Sequence, residues 1–196
     1  MPILGILASA MTAGQLGDYE SIASASPSGV NTVTFSNIPS TYKHLQIRYI
    51  GQTARGTYAQ DMLGMQFNSD TGNNYNYFIT RASEVSSTAI VNSAQTDQSS
   101  ISFDYGSLGA TGGSSLYWGI GVIDILDYTN TNKFKTTRCI AGTDSNGVIS
   151  TVYSTVGIMS GNWENTNAIT SITMVTPATS ANFNSGTRFW LYGIKG

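Results

Sequence analysis

The sequence predicts an all-β protein, a single-domain β-sandwich of jelly-roll-like arrangement. Three observations carry that expectation. Apolar residues recur at every second position in short runs, the period of a strand with one buried face. Turn-forming clusters such as SPSG, SNIPS, NSDTGNN, TNTN, DSNG and ENTN separate those runs. No stretch combines a 3.6-residue apolar period with helix caps. The chain has 196 residues, a length common for one sandwich and long enough to bury a core without a disulfide or metal staple.

Taken in order, the first candidate strand is YESIASA, residues 19–25. In VNTVTF, Val33 and Phe35 share a face. HLQIRYI sets Leu45, Ile47 and Tyr49 against His44, Gln46 and Arg48. MLGMQF (62–67), NYFIT (76–80) and SISFDY (100–105) follow. WGIGVIDIL places Gly119 and Gly121 on one face, which points to a close backbone approach and not to a linker. TRCIAG (137–142), VYSTVGIMSG (152–161) and AITSITMV (168–175) come next. RFWLYGI is apolar on both faces, so this last strand is expected to be covered on both sides. Residues 81–116 show the least pattern and are expected to hold the longest loops. Trp118 and Trp190, in apolar strands, are expected in the core. The domain proper is read as residues 19–196, preceded by an arm or first edge strand over 1–18.

Composition excludes several functions. Charged residues are 10% of the chain and the net charge is −2, with no basic block, so no nucleic-acid footprint is present. The apolar start MPILGILASAM lacks a basic n-region and is too short for a membrane span. Cys139 is the only cysteine and His44 the only histidine. Neither a disulfide nor a Cys/His zinc spacing can be built from them. Cys139 reads as a buried inert thiol, and His44 as a strand histidine facing solvent or a neighbouring hydroxyl. No GxSxG occurs, and no pair of carboxylates is singled out for glycoside hydrolysis. The expectation is a protein that is not an enzyme.

The stretch DILDYTNTNKFKTTR, Asp124 to Arg138, offers oxygen ligands of the type calcium accepts. Asp124 and Asp127, three apart on a strand, fall on opposite faces, and no terminal bidentate acid follows. The stretch is therefore read as a polar strand–loop–strand element, with Lys133 and Lys135 able to neutralise Asp127 or another acid nearby. The loops around Asp70 and Asp144 also read as turns. No metal and no cofactor are expected, so chelation should leave the melting temperature unchanged; a drop that calcium restores would revive Asp70, Asp127 and Asp144 as ligands. Trp163, in SGNWENTN, is either an exposed anchor for a sugar or a subunit, or a loop tryptophan folded back on the sandwich. Tyr75 and Tyr77 are the tyrosines that would accompany it on a sugar.

YESIAS (19–24), VTFSNIPSTYKHLQIRY (33–49), FNSDTGNNY (67–75), DILDYTNTNKFKTTR (124–138), WENTNAITSITM (163–174) and LYGIKG (191–196), with the MPILGI start, resemble small structural proteins of tailed bacteriophages, especially those of marine and cyanobacterial hosts. The resemblance covers most of the chain apart from about 81–116 and brings no catalytic residues. It implies a virion component. The function expected is capsid decoration (cement) on the virion surface, by a homo-oligomer, a trimer, contacting the major capsid protein. The alternative is a tail fibre or receptor-binding module that contacts host carbohydrate. In either case residues 1–14, through Ile3, Leu4, Ile6, Leu7 and Met11, are expected to dock on a neighbouring subunit or on the virion, unless they form an edge strand of their own sandwich.

Overall fold

A computed structural model describes residues 17–83, 90–112, 116–143 and 154–196, and none of these is helical. The strands are β1 (Tyr19–Ala25), β2 (Thr32–Phe35), β3 (His44–Thr53), β4 (Gln60–Phe67), β5 (Tyr75–Ser83), β6 (Ile90–Gln98), β7 (Ile101–Ala110), β8 (Gly119–Leu126), β9 (Lys135–Thr143), β10 (Thr155–Trp163), β11 (Ile172–Val175) and β12 (Arg188–Ile194). A large antiparallel sheet runs β1-β12-β3-β8-β9-β10-β5-β6. A smaller antiparallel sheet runs β2-β11-β4-β7. The last residues of β3, Gln52 and Thr53, pair in parallel with Gly109 and Ala110 of β7 and stitch the two sheets together.

β7 lies across β8, β9, β10 and β5, so the small sheet packs on one face of the large one. The class is all-β, as the sequence predicts, with a core between two packed layers. Twelve strands divided eight and four differ from the eight strands of a jelly roll, so the jelly-roll part of the expectation is not evident in this order.

Alternation decides which side chains enter the core. On β8, Gly119, Gly121, Ile123 and Ile125 are buried while Ile120, Val122 and Leu126 are exposed. On β10, Thr155, Gly157, Met159, Gly161 and Trp163 are buried while the residues between them face outward. The small inward residues let the layers approach: a Cβ on Gly161 would stand 2.6 Å from Ile101 of β7. The glycines of β8 behave as their spacing predicts. A Cβ on Gly121 would meet the Tyr49 hydroxyl at 2.5 Å and its ring carbons at 2.6 Å. Tyr49 is itself buried against Phe189. Gly121→Ala is therefore expected to lower stability by about 1–3 kcal/mol through overpacking; a denaturant midpoint unchanged from wild type would refute it.

Two expectations are corrected. The region 81–116 is not mainly loop: it contains β6 and β7. Of the tryptophans, Trp163 takes its folded-back alternative, and the core expectation for Trp118 and Trp190 is the one corrected. Trp163 is fully buried, 1% exposed, whereas Trp118 and Trp190 are only half-buried. The alternation of β10 carries Trp163 inward in phase with Met159, and Trp190 shares the outer side of β12 with Tyr192.

Candidate functional site: the outer face of the large sheet

The polar stretch Asp124–Arg138 resolves into two ties that hold structure. Asp124 accepts from Arg138 Nη2 at 2.7 Å and from Gln46 Nε2 at 2.8 Å. Asp127, at the end of β8 with φ 45°, pairs with Lys133, and Lys43 lies 3.5 Å away. Its backbone amide donates to His44 Nδ1 at 3.0 Å. The two carboxylates thus serve different partners, and the loop is the strand–loop–strand connection between β8 and β9. Lys133 neutralises Asp127 as its position predicts; Lys135 does something the sequence did not suggest. It is fully buried, and its ammonium donates to the carbonyls of Asn130 (2.6 Å), Lys133 (3.1 Å) and Thr166 (2.9 Å). Three donors meet three acceptors, which fastens this loop to the one after β10. Burial, aided by repulsion from Lys133, lowers its pKa.

Trp163 and Tyr75 are corrected as contact residues: both lie in the core and neither can stack on a ligand. Their rings stack on each other with centroids 6.3 Å apart, and Phe67 closes the cluster 5.6 Å from Trp163. The indole Nε1 donates to Asp70 Oδ2 at 2.8 Å, and this polar anchor is what allows a tryptophan to be buried at a turn. The Tyr75 hydroxyl donates to the Asp70 carbonyl at 3.0 Å, and burial pushes its pKa up to about 12. Tyr77 is half-buried and packs against the same core. The Asp70 loop is tied in by these contacts and by Asn74 and the Gly72 amide. Asp144 and the arm residues Ile3, Leu4, Ile6, Leu7 and Met11 lie outside the described residues. Among the described residues, no three His, Cys, Asp or Glu side chains gather in one place. Cys139 is buried beside Tyr49, and burial pushes the pKa of its thiol up. His44 lies apart from it, at the end of β3.

Three carboxylates bind their protons less tightly than usual. Burial opposes the shift at Asp70, but hydrogen bonds from Trp163, Asn74 and the Gly72 amide outweigh it. At Asp127 the Lys133 hydrogen bond dominates, and at Glu20 the Lys195 hydrogen bond does, followed by Tyr42. A depressed folded pKa gives stability that is present above the unfolded value of about 4 and is lost as pH falls through the folded value. The melting temperature is expected to fall as pH drops below about 4, and Asp70→Asn should flatten part of that fall. Identical pH profiles for variant and wild type would refute the Asp70 share.

The feature that remains is a surface. On the outer face of the large sheet, cross-strand register lines up Val122, Ile140 and Ile158 in one row and Ile120, Gly142 and Val156 in the next. Ile120, Ile140, Val156 and Ile158 are each more than half exposed, and Val122 is 38% exposed. Trp118 stands beside them and Gly142 leaves a depression, making an apolar groove of about 870 Å³. One side of it is polar and ordered. Arg48 lies 5.2 Å from the Tyr192 ring and 5.9 Å from the Tyr19 ring, and donates to Gln46, which donates to Asp124. Branched aliphatics on a strand normally mark a covered face. Contiguous exposed apolar surface beside a polar rim is the kind that serves interaction sites. Covering the exposed halves of five such chains would contribute on the order of 4–7 kcal/mol. Nothing in the sequence separates this outer face from the inner one, because both faces of GIGVIDIL and STVGIMSG carry aliphatic residues.

No known protein family matches the chain, and no curated protein matches it. Solved structures that overlap it slightly include two viral proteins. One is the CBM2 module of the evolved Dit of Lactobacillus casei BL23 phage J-1, at 12% identity over 93% of this chain and 81% of that one, with a TM-score of 0.21. The other is the infectious bursal disease virus VP2 subviral particle, at 12% identity over 90% of this chain and 41% of that one, with a TM-score of 0.13. Both overlaps are too slight to define a shared fold.

Proposed function

We propose that this chain is a structural protein of a bacteriophage virion, acting as a capsid decoration protein that binds copies of itself and the major capsid protein. The observation that carries this reading is the apolar outer face of β8, β9 and β10, a surface suited to being covered by protein. The phage-like sequence segments supply the setting. The chemistry expected is adhesion and not catalysis: Cys139 is enclosed, His44 serves a backbone amide, and Asp70, Asp124 and Asp127 are committed to local ties. The alternative, a tail module that holds carbohydrate, loses the aromatic platform it relied on, since Trp163 and Tyr75 are internal.

Quantitative mass spectrometry of purified particles tests the reading. Hundreds of copies per virion are expected of a lattice-bound decoration protein. A handful of copies confined to the tail would overturn decoration, and absence from particles would overturn the virion reading itself. Light scattering of the isolated protein should show an oligomer; a strict monomer at high concentration would count against self-association.

A further inference from the structure

The groove on the outer face has a chemical match within the same polypeptide. We propose that it is the seat of the N-terminal segment, residues 1–16, of a second copy. That segment carries no charged side chain, and its large apolar residues are interspersed with Gly5, Ala8, Ser9 and Ala10, which let a chain lie close to a surface. The groove is apolar in the same degree: Trp118, Ile120, Val122, Ile140 and Val156 line it, and Arg48 is its one charged lining residue among the described residues. Its floor at Gly142 has no side chain of its own, and the neighbouring Val156 flanks it.

Reach agrees with chemistry. The described chain begins at Gly17, and Tyr19 pairs with Ile194, which pairs with His44. The segment therefore enters at the His44 end of the sheet. Ile140 lies in the Arg48 row and Val156 in the Ile50 row, four and six residues along β3 from His44 and four and five strands across from β1. At ~3.3 Å per residue and ~4.8 Å per strand, the distance is roughly 25–30 Å. Sixteen extended residues span about 50 Å, enough to cross the intervening strands and still lay several residues in the groove. The occupant is the segment of a second copy: covered by its own segment, the face would offer nothing to the self-association proposed above, on which this assignment rests. The assignment does not depend on where the assembled protein resides.

Cysteine trapping on the full-length protein tests it. Leu7→Cys combined with Ile140→Cys should form a disulfide under mild oxidation at least tenfold faster than Leu7→Cys combined with Thr34→Cys, on the opposite sheet. A disulfide-linked dimer on a non-reducing gel supports the seat, and closure within one chain overturns it. Equal rates, or no closure, overturn it. A second variant does not rely on oxidation. Ile140→Glu alters a half-exposed residue, and should raise the rate of proteolysis before Gly17 about tenfold at an unchanged melting temperature. An unchanged rate overturns the proposal. Deleting residues 2–14 should raise binding of a hydrophobic dye several-fold, reversed by a synthetic peptide of residues 1–16. A truncated protein that folds and keeps its dye binding low, because a second copy or another surface covers the groove, also overturns it.

Discussion

Replacing Lys135 by methionine is expected to cost about 3–5 kcal/mol of stability, a fall in melting temperature on the order of 10 °C. The substitution keeps the length and apolar bulk of the side chain, so the loss reports on the ammonium alone. Without it, the carbonyls of Asn130, Lys133 and Thr166 lose their shared donor in a buried place. Each unpaired buried carbonyl costs about 1–3 kcal/mol, less whatever water recovers. The damage should be local in character. Amide exchange should quicken first at Asn130 and Ile169, whose hydrogen bonds to Asp127 and Tyr128 brace the two joined loops. A melting temperature within two degrees of wild type would mean that the loops hold each other without the lysine.

Truncating Trp163 to alanine is expected to lower stability by about 3–5 kcal/mol, again a double-digit shift in melting temperature. The ring fills the space between Phe67 and Tyr75 at the end of β10, and its nitrogen holds the Asp70 turn. Trp163→Phe separates these effects. It keeps most of the ring volume and leaves Asp70 one donor short, so about 1–2 kcal/mol should be lost. Trp118→Ala and Trp190→Ala, at half-buried positions, should each cost clearly less than Trp163→Ala. If thermal melts place Trp163→Ala as the mildest of the three, the assignment of the core at this end of the sandwich fails.

These two residues also show where sequence reading succeeds and where it stops. The strands with one clearly apolar face, such as β3, could be read directly, because period two and a single hydrophobic side leave one solution. β6 could not. Its IVNSAQTDQ has no sustained apolar face, and from Asn92 to Gln98 it is exposed or half-exposed as an edge strand. An edge strand with nothing to bury gives no periodic signal. Trp163 was recoverable: extending the alternation of Met159 and Gly161 by two residues carries it inward, but the neighbouring Gly161 and Asn162 made the stretch look like loop. Trp190 was not recoverable, because β12 is apolar on both sides and alternation alone cannot name the inner one. The same ambiguity hid the outer face of β8 to β10. Lys135 lay beyond the reach of spacing, since its three acceptors are backbone carbonyls, one of them on a loop distant in sequence.

The position of β12 has a consequence for how the protein is made. This strand sits between β1 and β3, so the earliest strand of the large sheet has no neighbour until the latest one arrives. While the ribosome is still translating the residues before Arg188, β3 has one open flank and β1 has nothing to pair with. The hairpins β8–β9 and β5–β6 can form as they emerge, but the large sheet closes only after synthesis has passed Ile194. A chain stopped short of that point would display an unfilled strand slot, the feature that cellular quality control and aggregation both recognise. Synthesis through Ile194 is thereby written into the fold as a condition for closing the large sheet.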